Sequence, residues 1–160
     1  MPKLLDLELS GRSLAFRVVL GVISAALTFL IFFYVPANLT TLISGYIPAD
    51  MRTTINTLLA SLIGPAMPPL GILLAALAFL SSLLHGSKVY GLILLVEGLC
   101  FIAYLYLAFQ GGTLSITLPK ELLYGISANL QINLANIMFL FMIPSLLGII
   151  KGIILALKKD

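Results

Sequence analysis

Four stretches, 14–35, 55–84, 89–109 and 132–157, are long and almost wholly apolar. Each meets the length of about 20 residues that a helix needs to cross roughly 30 Å of hydrocarbon. None alternates apolar and polar residues, so a closed β-barrel is excluded. In lipid the backbone polar groups must be bonded within the segment, which leaves the helix. Composition agrees: of 160 residues, 61% are apolar and 9% charged, against about 45–50% and about 25% in soluble domains. A surface so poor in charge has to face lipid over much of its area. The sequence therefore predicts an all-α, polytopic membrane protein. The expected layout is a single integral membrane domain over 1–160, a four-transmembrane-helix up-down bundle with short outer interfacial segments.

Lysine and arginine set the orientation. Lys3, Arg12, Arg17, Lys88, Lys151, Lys158 and Lys159 fall at one side of this layout, and only Arg52 and Lys120 at the other. The positive-inside rule then predicts cytoplasmic N and C termini, in what we expect to be the cell (plasma) membrane. The net charge of +3 is read as topology. No basic patch with interleaved aromatics suggests a nucleic-acid partner. The connection His85-Gly86-Ser87-Lys88 is a tight turn, which makes the second and third helices antiparallel neighbours. The first run is too long for the roughly 7–15 residues of a signal-peptide core, and Asp6 and Glu8 precede it; it reads as a span.

The outer connections, 36–54 and 110–130, mix apolar and hydroxyl residues and read as short amphipathic helices at the interface. In the second, Pro119 is a helix start, and 113–118 alternates like a strand with no partner. On the inner side, 4–9 alternates leucine with acids and is expected along the membrane surface, with Ser10 or Ser13 capping the first helix. An offset of 76 pairs Arg12 with Lys88, Phe33 with Phe109, Thr41-Leu42 with Thr117-Leu118 and Pro68 with Pro144. That is a pattern for a duplication, to be tested on the fold.

Helices two and four share a polar outer end. Thr53, Asn56, Thr57 and Ser61 recur at spacings of three and four, and so do Asn129, Asn133 and Asn136. On helices each set makes one face. Amides in hydrocarbon need partners, so both faces are expected to point inward, either lining a polar path or serving as helix contacts. Pro65, Pro68, Pro69 and Pro144 are expected to kink or break these helices.

Glu97 is the one acidic residue well inside a span. It lies nine residues from Lys88, about 13 Å along a helix, and Lys151 lies at a similar depth on helix four. An intramembrane ion pair with Lys151 or Arg17, or a neutral carboxyl bonded to a neighbouring helix, is the structural reading; proton or cation handling is the functional one. Gly21, Ser24, Ala25 and Thr28, and the pair Gly148 and Gly152, mark small faces for close helix contact.

Other chemistry has little to stand on. Cys100 is the single cysteine and His85 the single histidine, so no disulfide, metal site or cofactor is expected. GxSxG, HExxH, P-loop and GxGxxG motifs are absent, and no enzymatic activity is expected. A potassium-channel filter, TVGYG, is absent from both outer segments. Two functions remain. The first is a non-catalytic integral membrane subunit that packs with itself, as a homo-oligomer, or with other membrane subunits. The second is a small channel or transporter with helices two and four lining the path.

Overall fold

A computed structural model describes residues 11–118 and 128–157. The chain is mostly helical. Its elements are α1 (Gly11–Phe29), a π-helical turn (Leu30–Tyr34), α2 (Val35–Ser44), α3 (Arg52–Leu62), α4 (Met67–Leu83) and α5 (Lys88–Ala108), then a 3-10 turn (Gln110–Gly112), β1 (Thr113–Leu118), β2 (Ala128–Asn133) and α6 (Ala135–Leu157). Three helices are long and apolar enough to cross a membrane: Leu14–Ser44, Val89–Ala108 and Ala135–Leu157. This is an integral membrane protein. The apolar helix Met67–Leu83 is shorter, at 17 residues, or about 25 Å.

The first helix does not stop at 35, as its proline suggests. It continues to Ser44, and the stretch 36–44 prolongs the rod instead of lying at the interface. The reason is local. Pro36 has no N–H, and its ring crowds the carbonyl four residues earlier, that of Phe32. The chain absorbs this with a single π-helical turn, in which Val35 N–H bonds Leu30 O. The phenol of Tyr104 on α5 then donates to the freed Phe32 carbonyl at 3.1 Å. Gly71 of α4 makes room: a Cβ there would stand 2.2 Å from the Phe32 oxygen. The Phe32 ring closes the junction, edge-on to Phe101 and Tyr104 at 5.2 and 5.1 Å. Met67, Leu74 and Tyr104 are buried around it.

The second run, 55–84, is two helices. Ile63 leaves α3 in an extended conformation, a turn closes from Met67 N–H to Gly64 O at 3.0 Å, and α4 begins at Met67. Pro68 and Pro69 stand in its first turn, where a missing N–H costs nothing. Pro65 lies in the break itself, and Pro144 stands inside α6.

The second outer connection also differs from expectation. The strand at 113–118 does have a partner: it pairs antiparallel with 128–133, setting Thr113 opposite Asn133 and Thr117 opposite Asn129. Gly111 and Gly112, with φ of 71° and 94°, turn the chain from α5 into this hairpin. The readings for 4–9, Ser10 and the helix after Pro119 lie outside the described residues, as does the Ser13 side chain. The two halves are not superposable repeats at their outer ends, because Thr41-Leu42 is helical where Thr117-Leu118 is strand.

The long helices pack in a row: α1 on α4, α4 on α5, and α5 on α6. No comparable packing joins α6 back to α1. Glycines set the spacing. A Cβ at Gly91 or Gly152 would strike the facing backbone at 2.7 or 2.6 Å, and one at Gly98 would meet Ile149 at 2.6 Å. The buried core is thin, with Leu74 its most enclosed large side chain. Large apolar side chains are exposed along α1 and α6, among them Phe16, Val19 and Ile23, and Phe139, Leu147 and Ile154.

Candidate functional site: a carboxyl groove between α5 and α6

Gly91 and Gly152 hold the start of α5 close to the end of α6, and the same approach continues at Gly98, where Ser145 O lies 3.0 Å from the Cβ position. Farther along, the helices stay packed, with Leu105 of α5 against Met138 and Met142 of α6. They leave a cavity of 290 Å³, open to one side and lined by Leu94, Glu97, Gly98, Phe101, Pro144, Ser145 and Gly148. Glu97 is the only ionisable group in that lining. It sits at mid-helix on α5, nine residues from its first residue, Lys88, and eleven from its last, Ala108.

Among the described residues, no cation forms an ion pair with this carboxyl. Ser81 of α4 stands within hydrogen-bonding reach of it, but the Ser81 hydroxyl directs its proton at the Ala78 carbonyl, 3.1 Å away. Oε2 of Glu97 is wholly buried and has no hydrogen-bond partner. The expected ion pairs are therefore not formed. Lys151 places its Nζ over the Tyr90 ring, 5.8 Å from the centroid, within cation–π range. Tyr90 in turn meets the His85 ring edge-on at 4.6 Å. Arg17 Nη2 reaches the α4–α5 turn, 3.9 Å from the Cβ position of Gly86. Lys151 is exposed, and its long stem carries Nζ to Tyr90 near the start of α5.

The two polar faces do not come together either. Thr53, Asn56 and Thr57 are on α3, which packs on α2 and β1, not on α6. Thr57 bonds its own helix, Oγ1 to Thr53 O at 2.9 Å, and Asn56 Oδ1 is buried without a partner. Ser61 is in α3; its side chain lies outside the described residues. Asn129 and Asn133 are strand residues, not helix residues, and only Asn136 lies on α6. All three are exposed. Asn133 caps α6, its Oδ1 accepting from Ala135 N–H at 3.0 Å. The error came from reading apolar content as helix: the alternation in Ala-Asn-Leu-Gln-Ile-Asn, 128–133, has the period of two that marks a strand.

Several residues of weight were not singled out by sequence. They are Tyr104, Gly71, Ser81 and Ser145. Only Tyr104 carried a signal, since Pro36 implied a free carbonyl in need of a donor. A second hollow, between α1 and α4, is lined by Ala25, Ala26, Phe29, Ile72, Ala75, Ala76 and Phe79. It holds no polar side chain. Among the described residues, no group of three or more His, Cys, Asp or Glu is placed to hold a metal ion. No protein-family model, curated protein or solved structure matches the chain.

Proposed function

We propose that this protein is a non-catalytic subunit of the membrane, assembled with copies of itself or with other membrane proteins. The supporting observation is the open row of helices. A row leaves α1 and α6 with one packed side each, and it leaves Glu97, with Ser81 in reach but Oε2 unbonded, on the wall of an open cavity. A second chain against this row would cover the exposed side and close the cavity over the carboxyl. In this reading α4, continued by the extended break at 63–66, is a fourth span. Both termini are cytoplasmic, on the side where Arg17, His85 and Lys151 gather, and the membrane is the cell membrane.

The second reading, a channel or transporter, draws on the same carboxyl. Against it stand the polar side chains, which do not converge: neither cavity is lined by Thr53, Thr57, Asn129, Asn133 or Asn136. The test is flux. Purified protein in liposomes, given proton, potassium, sodium and chloride gradients in turn, is expected to pass none of them. Flux that falls with both Glu97→Gln and Asn133→Leu would replace the subunit reading with the channel.

A further inference from the structure

We infer that the groove between α5 and α6 seats a transmembrane helix of a partner chain, and that this helix presents a lysine or arginine to Glu97 at mid-depth. The inference rests on the subunit reading and adds to it a place and a chemistry.

Two independent observations meet in the groove. The first is charge. Glu97 lines the open cavity, and its Oε2 is buried without a partner. The cations of the described residues whose side chains are placed lie elsewhere: Arg17 beside the α4–α5 turn, Lys151 over Tyr90, and Arg52, whose Nε donates to Ile47 O at 3.2 Å. An intramembrane carboxyl is normally matched by a partner group. Among the described residues no placed cation meets it, and a cation on an apolar stem brought by a partner matches both the acid and the walls of Leu94, Phe101 and Pro144.

The second observation is a glycine that the fold does not use. Gly91, Gly98 and Gly152 each face atoms that a Cβ would strike. Gly148 has nothing within 4 Å of its Cβ position, yet it sits inside α6, where glycine is a poor choice beside alanine. A glycine on a membrane helix lets a second helix come close. Gly148 lines the same cavity as Glu97, one turn beyond Pro144. The small, open strip thus runs along the α6 axis, a shape that suits a helix better than a compact ligand.

The test uses a labelled synthetic helix of about 20 leucines with one lysine at its centre, reconstituted with the full-length protein in liposomes. Association is read by energy transfer. The lysine helix is expected to associate at least tenfold more tightly than an all-leucine helix with wild type. That preference is expected to vanish with Glu97→Gln, and binding of the lysine helix to be lost with Gly148→Phe, which fills open space. Thermal melting checks that both variants fold, and the two-peptide comparison on wild type needs no variant at all. Equal binding of the two helices, or an undiminished preference in Glu97→Gln, would overturn the assignment. So would Glu97-dependent binding of dodecylammonium without binding of the lysine helix, which would make the groove a small-amine site. If the particle extracted from native membranes holds several chains but the lysine helix does not bind, the groove assignment falls and the subunit reading stands. If that particle holds one chain alone, the subunit reading falls, whatever the peptide does.

Discussion

Two polar side chains, Glu97 and Tyr104, lie two turns apart on α5 among apolar neighbours, and they are treated differently by the fold. Tyr104 is buried and meets a carbonyl released by Pro36, so one disturbed helix and one isolated hydroxyl satisfy each other. Gly71 keeps α4 close enough to seal that junction. Near Glu97 there is again a proline, Pro144, but the groove stays open and a carboxyl oxygen has no partner. The first junction is complete within one chain and the second is not. In a bilayer, polar groups left unpaired in hydrocarbon are costly, which is the ground for proposing a partner at the second junction and none at the first.

Substitutions can break or sharpen this contrast. The largest effect is expected at Gly71→Val, which drives a side chain into the Phe32 carbonyl. It should lower stability by about 3 kcal/mol, the upper end of the overpacking range, read by thermal melting in detergent. Retained stability would mean that the three-helix junction is looser than described. Next, Tyr104→Phe leaves the Phe32 carbonyl unsatisfied and should cost about 1–2 kcal/mol. Adding Pro36→Ala should recover most of that loss, because residue 36 regains the N–H that a helix offers the Phe32 oxygen. A double variant no better than Tyr104→Phe alone would separate the proline from the phenol.

Asn133→Ala sets the scale outside both junctions. Loss of the α6 cap should cost about 1 kcal/mol, whereas a residue pointing only into solvent would change nothing measurable. The smallest effect is expected at Glu97. Glu97→Gln in the isolated chain should stay within about 0.5 kcal/mol of wild type, since no ion pair is lost. A clear destabilisation would show that the carboxyl already has a partner within the chain.

Much of the architecture was legible in the sequence, and the failures share a cause. Runs of apolar residues gave the membrane class and the positions of α5 and α6 to within a few residues, because lipid accepts so few backbone solutions. The reading failed where one residue's effect depended on a distant one. Pro36 ends a helix in isolation, but Tyr104, 72 positions from Phe32, supplies the bond that the Phe32 carbonyl lacks. The strand at 113–118 looked unpaired because its partner, 128–133, was divided between the second outer connection and the fourth apolar run. Glu97 was found by depth alone. Its failure to pair with Lys151 depends on side-chain direction around the helix, which spacing along the axis does not determine.

The most direct test of the account is the number of chains in the native particle. The protein would be extracted from its own membrane together with surrounding lipid, without detergent, and the mass of the particle's protein measured. The account predicts more than one chain, either several copies of this protein or this protein with another membrane subunit, and a smaller particle when Glu97→Gln and Gly148→Phe are combined. A particle holding a single copy and no other protein would contradict it.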